Sequence, residues 1–99
     1  MPIYNIEIPQ SVKDKIEEQA LYIALDKPSV ALKWYDTIYN KIESLSTSPN
    51  RCSEAPESQY VDFKIYHLLI GNYRVLFYIE GQTVIILDFK SGWQNKPEQ

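Results

Sequence analysis

Residues 68–89, LLIGNYRVLFYIEGQTVIILDF, constrain this chain more than any other stretch. Apolar and aromatic residues dominate it, and glycines at 71 and 81 break it, so it reads as antiparallel strands joined by tight turns. It is apolar on both faces. With Glu80-Gly81 as a two-residue turn, Val75 and Phe77 face Val84 and Ile86 on one side. On the other side Arg74, Leu76 and Tyr78 face Leu87, Ile85 and Thr83. Both faces of such a sheet need a cover, so what precedes it decides how many remain open.

Upstream, IYNIEI at 3–8 alternates in the manner of a half-buried strand and stops at Pro9. Ser11 stands at a natural N-cap with Asp14 three residues on, and Val12, Ile16, Ala20 and Ile23 follow at helical spacing. The spacing predicts a helix over 11–25. Pro28 suits the first turn of a second helix, whose stripe of Ala31, Trp34, Tyr35, Ile38, Ile42 and Leu45 runs to about residue 46, with Trp34 and Tyr35 read as core. Two helices joined by so few residues form an antiparallel hairpin. Residues 47–60 are polar with two prolines and read as a loop. Three strands follow, at about 61–69, 73–79 and 83–89. The expected fold is an α+β domain over 1–90, a four-stranded and mainly antiparallel sheet under a helical hairpin, with 91–99 as a C-terminal tail. One hairpin covers one sheet face. Leu76, Ile85 and Leu87 are thereby left on the other as a partner surface, with Trp93 of the tail beside them as a plug or a recognition residue.

Composition narrows the function. The chain of 99 residues carries ten basic and thirteen acidic groups, a net charge of −3. Its lysines and arginines are spread along the chain, unlike the clustered basic face of a protein that grips nucleic acid by itself. Cys52 is the sole cysteine and His67 the sole histidine, which excludes an internal disulfide and the usual zinc sets. The opening MPIYNIEIPQ has neither a basic leader nor an apolar run, and no stretch is apolar enough to span a membrane. The expectation is a cytoplasmic domain with no metal, no cofactor, no membrane and no small-molecule substrate.

The order of strand, helical hairpin, polar loop and three-strand meander resembles the RelE/ParE superfamily, the toxins of bacterial type II toxin–antitoxin pairs, often labelled plasmid-stabilisation proteins. GNYRVLFYI, ALYIALDKPSVA and LSTSP at the end of helix two carry the likeness, which extends over nearly the whole chain. The resemblance implies neutralisation by a small antitoxin protein, which would cover the open face. It also implies one of two targets: DNA gyrase for ParE-like members, or messenger RNA on the ribosome for RelE-like ones.

Under the ribonuclease alternative the resemblance implies catalytic roles for Arg74, Lys64 and His67. Cleavage without a metal needs groups that take a proton from the 2′-hydroxyl, offset phosphate charge and protonate the leaving oxygen. Arg74 matches the phosphate-facing arginine and Lys64 a basic position on the preceding strand. Tyr66 stands where many relatives carry a second basic residue, with His67 beside it. The register decides which of them meet. A Gly71-Asn72 loop puts His67 on Arg74's face, and an Ile70-Gly71-Asn72 loop puts Lys64 and Tyr66 there instead. After the last strand, Lys90-Ser91-Gly92-Trp93-Gln94-Asn95-Lys96 keeps the family's glycine but lacks its histidine and arginines. That departure favours the ParE-like, gyrase-inhibiting reading. It also keeps alive a third, an interaction module without toxicity.

Overall fold

A computed structural model describes residues 3–91. The elements, in chain order, are β1 (Asn5–Glu7), α1 (Gln10–Ala24), α2 (Pro28–Glu43), β2 (Ser53–Glu54), β3 (Tyr66–Ile70), β4 (Tyr73–Glu80) and β5 (Thr83–Ser91), with short 3-10 turns between α2 and β3. The sheet runs β1-β5-β4-β3-β2. It is antiparallel throughout except for β1, which lies parallel to β5 through Asn5–Thr83, Ile6–Val84 and Glu7–Ile85. The α+β architecture is therefore as expected, with five strands rather than four. The extra one is the two-residue β2, at the edge against β3 and cut from a stretch that reads as loop.

Helix α1 starts one residue before its sequence signal. Pro9 is extended, and its carbonyl accepts the N–H groups of Val12 and Lys13, so the chain turns helical at Gln10 without any side-chain cap from Ser11. In α2 Pro28 takes the first turn as its fixed φ favours. The hairpin lays Val12, Ile16, Ile38 and Ile42 on Leu68, Ile70, Val75, Phe77, Val84, Ile86 and Phe89, which form one continuous core. Trp34 closes its end, edge-on to Tyr73 and Phe89. Tyr35, one position round the helix, is exposed instead of packed in the core.

Two glycines set the strand register. Gly71 and Gly81 both take positive φ (58° and 62°), each as the first central residue of a two-residue turn. That is the type II′ pattern, whose twist matches the flanking strands. The β4–β5 turn is accordingly Gly81-Gln82 and not Glu80-Gly81, because glycine has to stand first. The register moves by two positions, so Phe77 pairs with Ile86 and the core face keeps its residues.

Beyond that pair the strands would fall out of phase. Continued regularly, Asp88 would lie opposite Val75 in the core and Phe89 on the outer face. A β-bulge at Leu87 prevents this: Leu76 pairs with Asp88, Val75 with Phe89 and Arg74 with Lys90. The extra residue sends Phe89 inward and frees Asp88 to meet Lys15 of α1 at 2.6 Å. It also puts Lys90, in place of Phe89, beside Arg74, where a Glu80-Gly81 turn would have put Leu87.

Candidate functional site

The face of the sheet turned away from the helices is organised around one buried charge. Arg74 sits on β4 between Leu69 of β3 and Lys90 of β5, and only 7% of it is exposed. Its partner is Glu57, on the 3-10 turn Pro56–Tyr60. Arg74 Nη1 and Nη2 donate to Glu57 Oε1 and Oε2 at 3.1 and 2.7 Å, a two-pronged pairing that suits guanidinium and carboxylate geometry. Lys90 Nζ reaches Glu57 Oε2 at 3.1 Å. Arg74 Nη1 also lies 3.1 Å from His67 Nδ1. Since an arginine can only donate, that ring nitrogen is the acceptor and the imidazole carries its proton on Nε2. Arg74 Nε is buried with no hydrogen-bond partner among the described residues.

Titration follows from this geometry. The hydrogen bonds from Arg74 outweigh the burial of Glu57 and, with help from Lys90, bring its carboxyl from 4.5 to about 2. Burial, reinforced by the Arg74 charge, pushes His67 below its ordinary value against the opposing pull of Glu57. At neutral pH the cluster is therefore Arg⁺, Lys⁺, Glu⁻ and neutral His. It can hold an oxyanion. It offers no free proton acceptor, since the Nδ1 lone pair of His67 already takes a hydrogen bond from Arg74.

The segment that brings Glu57 here closes on itself. Ala55 N donates to Ile65 O at 2.7 Å, while the Ser58 hydroxyl donates to Phe63 O and accepts from Ile65 N. Ends joined in this way make residues 55–65 a compact Ω-type strap. Ala55 and Ile65 pack on Leu76, and Phe63 meets Tyr78 ring to ring at 4.9 Å.

The strap changes several expectations. Leu76 is not left open: the strap covers it to 4% exposure. Ile85 is half-buried between Tyr78 and Glu7, and Leu87 is exposed at the bulge. Lys64 lies at the end of the strap, two residues before β3 begins, and not on a strand, because Ser58 captures the backbone that a longer β3 would have used. It is exposed, and among the described residues it has no ion-pair partner. The Gly71-Asn72 loop brings His67 onto Arg74's face and sends Tyr66 to the other, against Phe77. Of the three candidate catalytic groups the structure thus unites Arg74 and His67 and leaves Lys64 outside. Trp93 lies outside the described residues. Sequence reasoning missed Glu57 and Lys90. Nothing local marks Glu57 among the acids of a polar loop, and Lys90 enters only through the bulge.

A second feature lies on the far side of the molecule. The helical hairpin exposes Leu21 and Leu32 at one groove and Tyr22, Leu25 and Val30 at another, with Leu25 at 84% exposure. Between the helices runs an apolar groove floored by Ala20, Ala24 and Ala31 and flanked by Leu21, Leu32 and Tyr35. Single exposed leucines are ordinary on a surface, but Leu21, Leu32 and Tyr35 around one apolar groove mark a place of contact.

The family described as the ParE toxin of the type II toxin–antitoxin system parDE matches residues 6–95. The chain belongs to the ParE toxin family. Its fold is also that of a solved structure titled "Chromosomal ParDE TA system from P. aeruginosa", with a TM-score of 0.75 over 90% of this chain and 96% of that one. Identity between the two is 15%, so this second likeness speaks for the fold alone. A search of curated proteins finds no match. No described helix is long and apolar enough to cross a membrane. Among the described residues no group of three His, Cys, Asp or Glu side chains could hold a metal.

Proposed function

We propose that this chain is the toxin half of a type II pair, neutralised by a small antitoxin protein, and that it acts by binding DNA gyrase rather than by cutting messenger RNA. Membership of the ParE family supports the toxin role. The observation that carries the choice of target is the engagement of Arg74. Its guanidinium is buried and occupied by Glu57, His67 spends its acceptor on the same arginine, and Lys64 is elsewhere. Within this cluster of described residues a phosphodiester would find neither a free cation of the right shape nor a free base. The net charge of −3 is also unfavourable for entering a ribosome. A protein target makes no such demands, and the apolar groove of the hairpin, with Leu21 and Leu32 exposed beside it, supports contact with one.

The test is pulse-labelling of a bacterial host after induction of this chain alone, following amino-acid and thymidine incorporation over the first minutes. The expected result is early loss of DNA synthesis with cleaved DNA trapped on gyrase. Early loss of protein synthesis would replace this reading by the ribonuclease one, and Arg74 and His67 would become the residues to mutate. If neither falls while the protein accumulates in soluble form, the chain is an interaction module on the toxin fold.

A further inference from the structure

We propose that Arg74, Lys90 and His67 form a carboxylate-binding site which Glu57 fills in the free chain, and which an acidic side chain of a protein partner takes over, releasing the 55–65 strap from the sheet. The existence of such a partner rests on the toxin–antitoxin reading above; the site itself does not.

Three observations lead here. The first is the composition of the cluster: two cations converge on one carboxylate, and one of them, Arg74, is almost wholly buried on the sheet. A guanidinium in that position needs an anion, since an unpaired buried charge is costly. The second is where the anion comes from. Glu57 is not a neighbour on the sheet but a side chain brought over from a strap. The third is the strap's construction. Its hydrogen bonds, those of the backbone and of the Ser58 hydroxyl alike, run between its own residues 55, 58, 61, 63 and 65, so swinging its tip away breaks none of them. What must yield is the Glu57 latch to Arg74 and Lys90, the Phe63–Tyr78 contact and the packing of Ala55 and Ile65 on Leu76. Release uncovers Leu76 on the face that it shares with the exposed Leu69.

Exchange of one carboxylate for another keeps the charge on Arg74 satisfied, so the latched and released states differ little in electrostatics. The competition is therefore decided by tethering. Glu57 is attached to the chain and competes at an effective concentration of roughly millimolar or above. A free carboxylate at lower concentration loses, whereas a partner already anchored elsewhere on the toxin presents its own acid at a comparable effective concentration. A carboxylate is favoured over a nucleic-acid phosphate because the site holds only two cations within a protein of net charge −3.

Two measurements on the free chain decide the matter, and neither depends on growth arrest, so a failed toxin assay leaves them standing. In Glu57→Ala the site is vacant, and acetate at constant ionic strength should raise Tm saturably, by about 4 °C or more at tenfold excess over its Kd, relative to chloride. Neither wild type at the same concentration nor Glu57→Ala/Arg74→Met should respond. An equal response to acetate and chloride overturns the site. Stabilisation by inorganic phosphate but not by acetate overturns the carboxylate assignment. The second measurement needs no variant. Wild-type protein in molar acetate, against molar chloride, should show the Arg74 Nε–H and Leu76 methyl NMR signals moving with acetate alone. If both salts leave them equally in place, the latch does not open and the proposal fails.

Discussion

The two faces of the sheet are closed by different physics. Towards the helices, Phe77, Val75, Val84 and Ile86 are wholly buried under Ile16, Ile38 and Ile42, an apolar interface with no charge in it. On the opposite face a short strap is held by one carboxylate shared among Arg74 and Lys90, over a small apolar contact of three residues. Apolar packing is non-directional and sums over many contacts, so the helical face resists any single change in solution conditions. The strap depends on one ionised group, and whatever neutralises or replaces that group loosens it. The first face makes the fold; the second can respond to a partner.

The largest expected effect breaks the first face. Phe77→Ala empties the centre of the core and should cost about 3–5 kcal/mol, read as a lower midpoint in denaturant with an unchanged slope. Next comes the second face: Glu57→Ala leaves Arg74 buried without its anion and should cost about 3 kcal/mol. The two losses are similar in size but differ in whether they can be repaired. In the Glu57→Gln/Arg74→Met pair neither charge remains, so the double variant should be more stable than the sum of the single changes predicts, by about 1–3 kcal/mol. Additivity of the two changes would mean that the ion pair is not what holds the strap.

Acid distinguishes the faces without mutation. Because Glu57 has its pKa lowered to about 2 in the fold from 4.5 otherwise, its contribution is complete above 4.5 and is lost as pH falls through that window towards 2. His67, also lowered, adds a loss with the same sign that begins below its ordinary value of 6.5. Stability measured by denaturant titration from pH 7 to pH 3 should fall more steeply in wild type than in Glu57→Gln. Parallel curves would place the acid sensitivity outside the strap.

The same contrast governs what could be read from the sequence. The helical face was legible because periodicity is local: the stripes through Val12 and Ile16 and through Ala31, Ile38 and Ile42, and the alternation of Val75, Phe77, Val84 and Ile86, appear in short windows. A turn misplaced by one residue did no harm, since the two-position register shift preserved the faces. The outer face depends on non-local facts. The bulge at Leu87 follows only from asking where Asp88 would otherwise go. Glu57 and Arg74 are 17 residues apart in sequence, and no spacing rule joins a loop acid to a strand arginine. Family likeness pointed to Arg74 but not to what occupies it. Leu21, Leu25 and Leu32 were visible as leucines, yet only the packed hairpin shows that they turn outward.

The smallest effect sharpens the comparison within the strap itself. Lys90 and Arg74 touch the same carboxylate oxygen, at 3.1 and 2.7 Å, and a count of contacts would rank them close together. Burial separates them. The Lys90 side chain is 40% exposed, so water and salt already screen its charge, and its long stem gives up rotamer freedom to make the contact. Lys90→Met should therefore cost less than about 1 kcal/mol. Raising the salt from 0.05 to 0.5 M should remove most of the difference from wild type, because screening acts on an exposed pair. Arg74→Met takes from Glu57 its two-pronged partner and leaves it Lys90 alone, and the same salt should recover little, since the guanidinium it replaces lies out of reach of solvent ions. A Lys90 variant as damaging as the Arg74 one, and equally indifferent to salt, would show that the carboxylate is clamped from both sides. The strap would then be as fixed as the helical face.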